Sequence, residues 1–391
     1  MICLRRSTVA LLGATVFSIQ AQVPSWSLEA QQRLIGGPGT DVVRQVAERQ
    51  RLAEEGEAAL SRNDPVAAER AFDAAARIVH SADVEMGLVR TYMQAGEYRR
   101  ALAFAAHAAG AHRNVPAAAA QYAWLLQIGG QGVLARRLIE DAVAVAPDDT
   151  AVRAMQNLLT TAGSASASPS ATQPAGVLLA PPMRIAPIAS APLPDGAQVA
   201  GTAVLLADGL SALAPSASVA RARHVWLRNG LGQTVAAQVD PVAPSSPLVR
   251  LRLSAALPVN ESLLQAPAAP FAGSLAYTVE YSATTTAEPA WPLLHAGFVG
   301  RWLATPGDRL LGIDLPAGPR GGPVLDGHCR LIGISVPGFD GRDRLLPLVN
   351  PEVDSLSANS TPSSALPLPR ATEDALYESA MRSALQLLVV R

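Results

Sequence analysis

The chain has 391 residues, 31 Lys plus Arg against 32 Asp plus Glu, and a formal net charge of −1. That length calls for more than one domain, and nothing in the even charge points to the basic surface that nucleic-acid binding needs. Every basic residue is arginine, and with the abundant Ala, Gly and Pro this reads as coding bias without chemical meaning.

Residues 1–21 read as a secretory signal. Arg5-Arg6 forms the positive start, Val9–Ile19 the apolar run, and Ala21 a small residue before a cut. The run is too short for a comfortable membrane span, and no later stretch is long and apolar enough for one. The expectation is a periplasmic protein exported by the general route, with twin-arginine export at Arg5-Arg6 as the alternative, and no integral membrane segment after cleavage. Cleavage would leave Cys329 alone, so no intramolecular disulfide is expected. Cys329 is placed at the start of a core strand as a buried, inert thiol, with a reactive thiol as the alternative.

Residues 41–160 are Ala-rich and helical in pattern, and they repeat. One copy holds Leu88, Tyr92, Gly96, Tyr98, Ala101, Ala105 and Ala108; the next holds Tyr122, Leu126, Gly130, Ala135, Ile139 and Ala142. Gly96 to Gly130 and Ala101 to Ala135 are each 34 positions apart. A degenerate earlier copy holds Gly56, Ala59, Ala68, Phe72 and Ala75. The pattern resembles tetratricopeptide repeats, which implies an all-α solenoid of three helix pairs and a cap at Thr150–Leu159. A plain helical bundle is the alternative. His107 and His112 are five positions apart, which does not place them on one helix face, so a metal pair is not expected.

Residues 161–175 are rich in Ser, Ala and Pro and read as a linker. From 176 to 355 the pattern changes to short apolar runs divided by Pro and Gly, such as His224–Arg228, Val235–Val239, Ser274–Tyr281 and Arg330–Val336, which suits an all-β barrel domain. His224 opens one of these strands and reads as structural.

Several segments there follow one another in a telling order. They are GTAVLLADGLSALAPSASV at Gly201–Val219, SSPLVRLRL at Ser245–Leu253, AWPLLHAGFVG at Ala290–Gly300, GPRGGPVLD at Gly318–Asp326 and LLPLVN at Leu345–Asn350. The set resembles the HtrA-like branch of the trypsin-like serine proteases, a double β-barrel fold. The alternative for GGPV alone is a turn before a strand. The resemblance puts the triad histidine at Pro215, the aspartate at Pro247 and the nucleophile at Arg320. Proline has no proton-accepting side chain, and a guanidinium is never a nucleophile in a protein. Losing such a unit leaves at most the ~10³–10⁴ over water of an oxyanion hole, here the N–H groups of Gly318 and Arg320.

The implied function is therefore non-catalytic: a pseudoprotease domain that binds a protein or peptide partner, with the repeats recruiting it. A purely architectural role is the alternative, and a serine-type peptidase using unrecognised residues is third. Gly318, Arg320, Gly321 and Ser335 are the candidate peptide-binding residues, with Arg320 offered as a receptor for a carboxylate. No cofactor or metal is expected, and the oligomeric state is not legible.

Residues 356–391 form the tail. Thr372–Arg391 (TEDALYESAMRSALQLLVVR) resembles the opening of an HtrA-like domain, a short helix and then the first barrel strand at Leu385–Val390, here at the other end of the chain. An ordinary terminal helix docked on the barrel, or a free remnant of a second domain, are the alternatives.

Overall fold

The computed structural model describes residues 39–163, 193–241, 246–259, 266, 269–303, 309–315, 318, 320–338, 341–348 and 369–391. The expected signal at 1–21, residues 164–175 of the expected linker, and Ser245 lie outside them.

A helical region comes first: α1 Gly39–Ser61, α2 Pro65–Ile78, α3 Ala82–Gln94, α4 Tyr98–Ala111, α5 Pro116–Ile128, α6 Gly132–Val145 and α7 Thr150–Gly163. The last helix runs three residues past the expected boundary at 160. Each helix packs on the next, and α1, α3, α5 and α7 pack on one another in succession. Pro65 and Pro116 open their helices at positions where a missing N–H breaks no intrahelical bond.

The repeat is visible in its turns. Gly96 and Gly130 have φ of 76° and 86°, and the following N–H groups of Glu97 and Gln131 each bond 2.8 Å back to Tyr92 O and Leu126 O. This closing bond needs a left-handed residue, which favours glycine. In the first pair the place is taken by Asn63, φ 58°, with Asp64 N bonding 3.0 Å to Ala59 O. Asparagine is the usual substitute there. Between the pairs, the Phe72 ring fills the space of two missing side chains: a Cβ at Gly56 would lie 2.7 Å from it and one at Gly87 2.4 Å.

Two closed antiparallel barrels follow. The first contains β1 Gln198–Leu205, β2 Ser211–Pro215, β3 His224–Arg228, β4 Thr234–Val239, β5 Leu248–Leu253 and β12 Ala384–Val390, in the order β1-β12-β3-β4-β5-β2. The second contains β6 Leu275–Glu280, β7 Leu293–Trp302, β8 Arg309–Ile313, β9 Pro323–Leu325, β10 Leu331–Pro337 and β11 Asp343–Leu346, in the order β10-β11-β8-β7-β6-β9. A helical region followed by two six-stranded barrels is the architecture that the sequence motifs imply. Period-2 patterning accounts for strands such as β5, where Leu251 and Leu253 face inward while Arg250 and Arg252 face out.

The chain's last strand is internal to the first barrel. β12 pairs antiparallel with β1 on one side and β3 on the other. Leu385, Leu387, Leu388 and Val389 are fully buried. The preceding helix α8, Glu373–Ser383, is capped by the Thr372 hydroxyl, which accepts from Ala375 N at 3.2 Å. Acids begin α8 and Arg382 ends it, as the helix dipole favours.

Helices and barrels share a core. Leu231 and Met381 of the barrel half join the helical cluster. Tyr98 packs on Trp291 with ring centroids 6.1 Å apart, and Trp291 Nε1 donates to Gly230 O at 3.0 Å. Arg99 pairs with Asp374, and its N–H donates to the Glu378 carboxylate at 3.1 Å.

Cys329 departs from expectation. It lies not at the start of a strand but in the turn before β10, half-buried with φ 60°. That turn is held by Asp326, whose carboxylate accepts from the N–H groups of His328 and Arg330.

Candidate functional site at the seam between the barrels

The three positions that the resemblance singles out lie close together. Pro215 ends β2 opposite Leu248, and Ser216 N donates to Pro247 O at 2.9 Å, so the two prolines are neighbours. On the other barrel, a Cβ at Gly321 would lie 2.8 Å from Pro215 Cδ and 2.0 Å from Thr202 O. With φ of +133° as well, that position takes only glycine.

Arg320 is buried and engaged. Its Nε and Nη2 donate to the two carboxylate oxygens of Asp343 at 2.7 and 2.9 Å, and Nη1 donates to Gly318 O at 3.0 Å. This is the bidentate fork that would be offered to a ligand carboxylate, and β11 has already filled it. The expectation of Arg320 as an open receptor is corrected accordingly: a ligand would have to displace Asp343.

Ser335 is also corrected. It is fully buried on β10. Its Oγ accepts from Gly321 N and Gly322 N, each at 3.1 Å, and donates to Glu280. A hydroxyl oxygen with two accepted bonds and one donated has no lone pair left for a ligand or an electrophile. Gly321 likewise turns its N–H inward, so of the four candidate contacts only Gly318 is exposed.

The centre of this network is Glu280, a residue the sequence reading did not single out. It is fully buried where β6 meets β1 and the loop before β9. One oxygen accepts from Thr202 Oγ1 at 2.8 Å, and Gly322 N lies 3.1 and 3.2 Å from the pair. Burial pushes its carboxyl up to about 7, against the opposing pull of the Ser335, Thr202 and Gly322 hydrogen bonds and the Arg320 charge. No motif marks it; the only hint in sequence is a lone acid closing the apolar run LAYTVE.

His295 is the histidine that feels Arg320. It lies opposite Thr278 across β6 and β7. Burial, and next the Arg320 charge, push its imidazole down, while Asp314 opposes them. It has no free hydroxyl to act on there, because the buried hydroxyl of Ser335 is already committed to Glu280. His224, by contrast, is exposed at the edge of β3, with its ring 5.8 Å from Trp226.

A groove of about 330 Å³ opens beside these residues. Its walls come from both barrels: Val199 and Ala200 of β1, Ala217 and Ser218 just past Pro215, Ala283 and Thr284 after β6, and Pro337 at the end of β10. Ala283 lies 3.8 Å from where a Gly318 Cβ would stand, and Pro337 pairs with Asp343, the partner of Arg320. The groove therefore adjoins the three singled-out positions. Most of its lining is small, with Gln198, Thr284, Thr285 and the charged Arg391 among it. Among the described residues, no group of three metal-ligating side chains is arranged to hold an ion, and no helix is long and apolar enough to cross a membrane.

Comparison with known proteins adds little. No family model and no curated protein sequence matches the chain. Solved structures that resemble it include the serine endoprotease from Yersinia pestis, at 13% identity and TM-score 0.32, over 39% of this chain and 58% of that one. The HtrA-type protease AlgW with decapeptide gives 16% identity and TM-score 0.32, over 37% of this chain and 47% of that one.

Proposed function

We propose that the barrels form a trypsin-like pseudoprotease domain that binds an extended peptide without cleaving it. In the same reading the helical region is a tetratricopeptide array recruiting the partner in the cell envelope. The observation that carries the reading is the occupancy of the seam. Pro215, Pro247 and Arg320 stand where the resemblance puts base, orienter and nucleophile, and Arg320 is spent on Asp343. A groove of about 330 Å³ beside them, lined by small residues together with Gln198, Thr285 and Arg391, is open to an extended chain with small side chains. Binding along such a cleft needs main-chain partners and pockets, not a nucleophile.

A second reading is architectural, and two observations favour it: the old site is filled by its own side chains, and the helices share a core with the barrel through Leu231 and Met381. One experiment separates the two. Ala283→Trp puts an indole on the exposed groove wall without touching a core cluster. Titration with a labelled pool of unfolded peptides with small side chains should show binding that this variant weakens at least about tenfold, with an unchanged melting midpoint. Absence of binding, or binding indifferent to Ala283→Trp, would leave only the architectural reading.

A further inference from the structure

The helical region holds a second cluster of titratable groups, far in sequence from the barrels. Glu85 lies in the first turn of α3, with its side chain fully buried. Three imidazoles surround its carboxylate. His80 Nδ1, from the α2–α3 connection, is 2.5 Å away; His112 Nε2, which caps α4, is 3.1 Å away; His107 Nε2, on α4, is 3.9 Å away. The five-residue spacing of His107 and His112 argued against convergence, but α4 ends at Ala111. His112 is the cap, with φ −113° and ψ 53°, so helical periodicity no longer governs where it points.

The ion pairs that reach Glu85 among the described residues all come from histidine. The arginine of α1 nearest this end, Arg49, is taken by Ser81 and Asp83. The facing helix α5 contributes Gln121, a neutral amide that donates to Met86 O at 3.1 Å. Both helix dipoles favour a charge-separated state: an anion at the N-terminus of α3 and a cation at the C-terminus of α4. Among the described residues no group of three is arranged to hold a metal ion, and imidazoles facing a carboxylate can respond to a proton.

We propose that Glu85 with His80, His107 and His112 is a proton-sensing latch that ties the α2–α3 connection and the end of α4 to the start of α3. Histidine is the side chain that changes charge nearest neutral pH. While the cluster holds an imidazolium, the buried carboxylate is paired; when the imidazoles are neutral, it is not, and the helical region loosens. On the acid side the sign is opposite. Burial pushes the Glu85 carboxyl up, but the His80 hydrogen bond and the His112, His80 and His107 charges outweigh it and hold it below the usual carboxylate value. A carboxyl so lowered stabilises the fold above the unfolded value and loses that contribution as pH falls through the folded one. The latch is closed while the carboxylate is ionised and an imidazolium faces it.

The test is thermal unfolding of the full chain, followed by the helical circular dichroism signal at mildly acid and mildly alkaline pH. The midpoint should fall by about 3–6 °C on going alkaline. Glu85→Gln keeps the shape and hydrogen-bonding capacity but removes the charge, and should abolish most of that difference. If Glu85→Gln fails to fold, His107→Gln serves instead, since that ring is 38% exposed and its loss is tolerable; it should shrink the difference. An unchanged pH difference in the variant that folds would overturn the proposal. So would a midpoint raised by added Zn²⁺ in the native chain and not in Glu85→Gln, which would make the cluster a metal site.

Discussion

Replacing Glu280 by Gln tests whether the seam between the barrels is built around a neutral acid. Burial raises this carboxyl from 4.5 to about 7. At about 1.4 kcal/mol per unit, the two states differ by about 3 kcal/mol. Because the folded value is the raised one, that stability is present in full below about pH 4.5 and is lost as pH rises through about 7. Glutamine is neutral at every pH and nearly the same shape. It keeps an acceptor for Gly322 N, and the Thr202 hydroxyl is free to rotate and accept from the new amide. Glu280→Gln should therefore be more stable than the native chain at pH 8, by up to about 3 kcal/mol, and close to it at pH 5. Urea unfolding at the two values, followed by fluorescence of the barrel tryptophans Trp226, Trp291 and Trp302, reads this directly. Parallel pH profiles for the two proteins would show that the Glu280 carboxyl is not raised by folding, and the reasoning would fail.

Three further outcomes are expected. Arg320→Ala should cost about 3–5 kcal/mol, because it strands Asp343 in a partly buried site, and Asp343→Ala should add little once Arg320 is gone; additive losses in the denaturation cycle would argue that the pair is not coupled. Gly321→Ala should prevent a stable seam, since its Cβ would sit 2.0 Å from Thr202 O, whereas Gly327→Ala, with nothing within 4 Å, should be tolerated; equal midpoints for the two would contradict this. Deleting residues 372–391 removes β12 with four fully buried large side chains, each worth about 1.5–3 kcal/mol against a typical total of ~5–15. That truncated chain should aggregate, and a soluble product with a native midpoint would show β12 to be dispensable.

The elements were legible where one period dominates. The helices repeat at 34 residues because Gly96 and Gly130 close the same left-handed turn. The first repeat is degenerate at its turn because Asn63 does that work without being a glycine. A strand at Leu385–Val390 could be read from an apolar run broken only by Gln386, which fits a position paired on both sides. The site was harder. GPRGGPVLD points to Arg320, but nothing local to it names Asp343, which is 23 residues away and binds by tertiary contact alone. Glu280 and Glu85 look like ordinary surface acids in sequence. Their neighbours come from other strands or helices, so neither spacing nor composition exposes them. Ser335 looked reachable because it follows the motif closely, yet strand alternation turns its side chain into the seam.

Reaction of the folded full chain with a fluorophosphonate probe, with the labelled site mapped by mass spectrometry, tests the central claim most directly. With Pro215, Pro247 and Arg320 at the seam and Ser335 fully buried and bonded to Glu280, no serine should be labelled above the level seen in the unfolded chain, and Arg320→Ser alone should not change that. Stoichiometric labelling of one serine in the native protein, lost on unfolding, would show a working nucleophile and contradict the account.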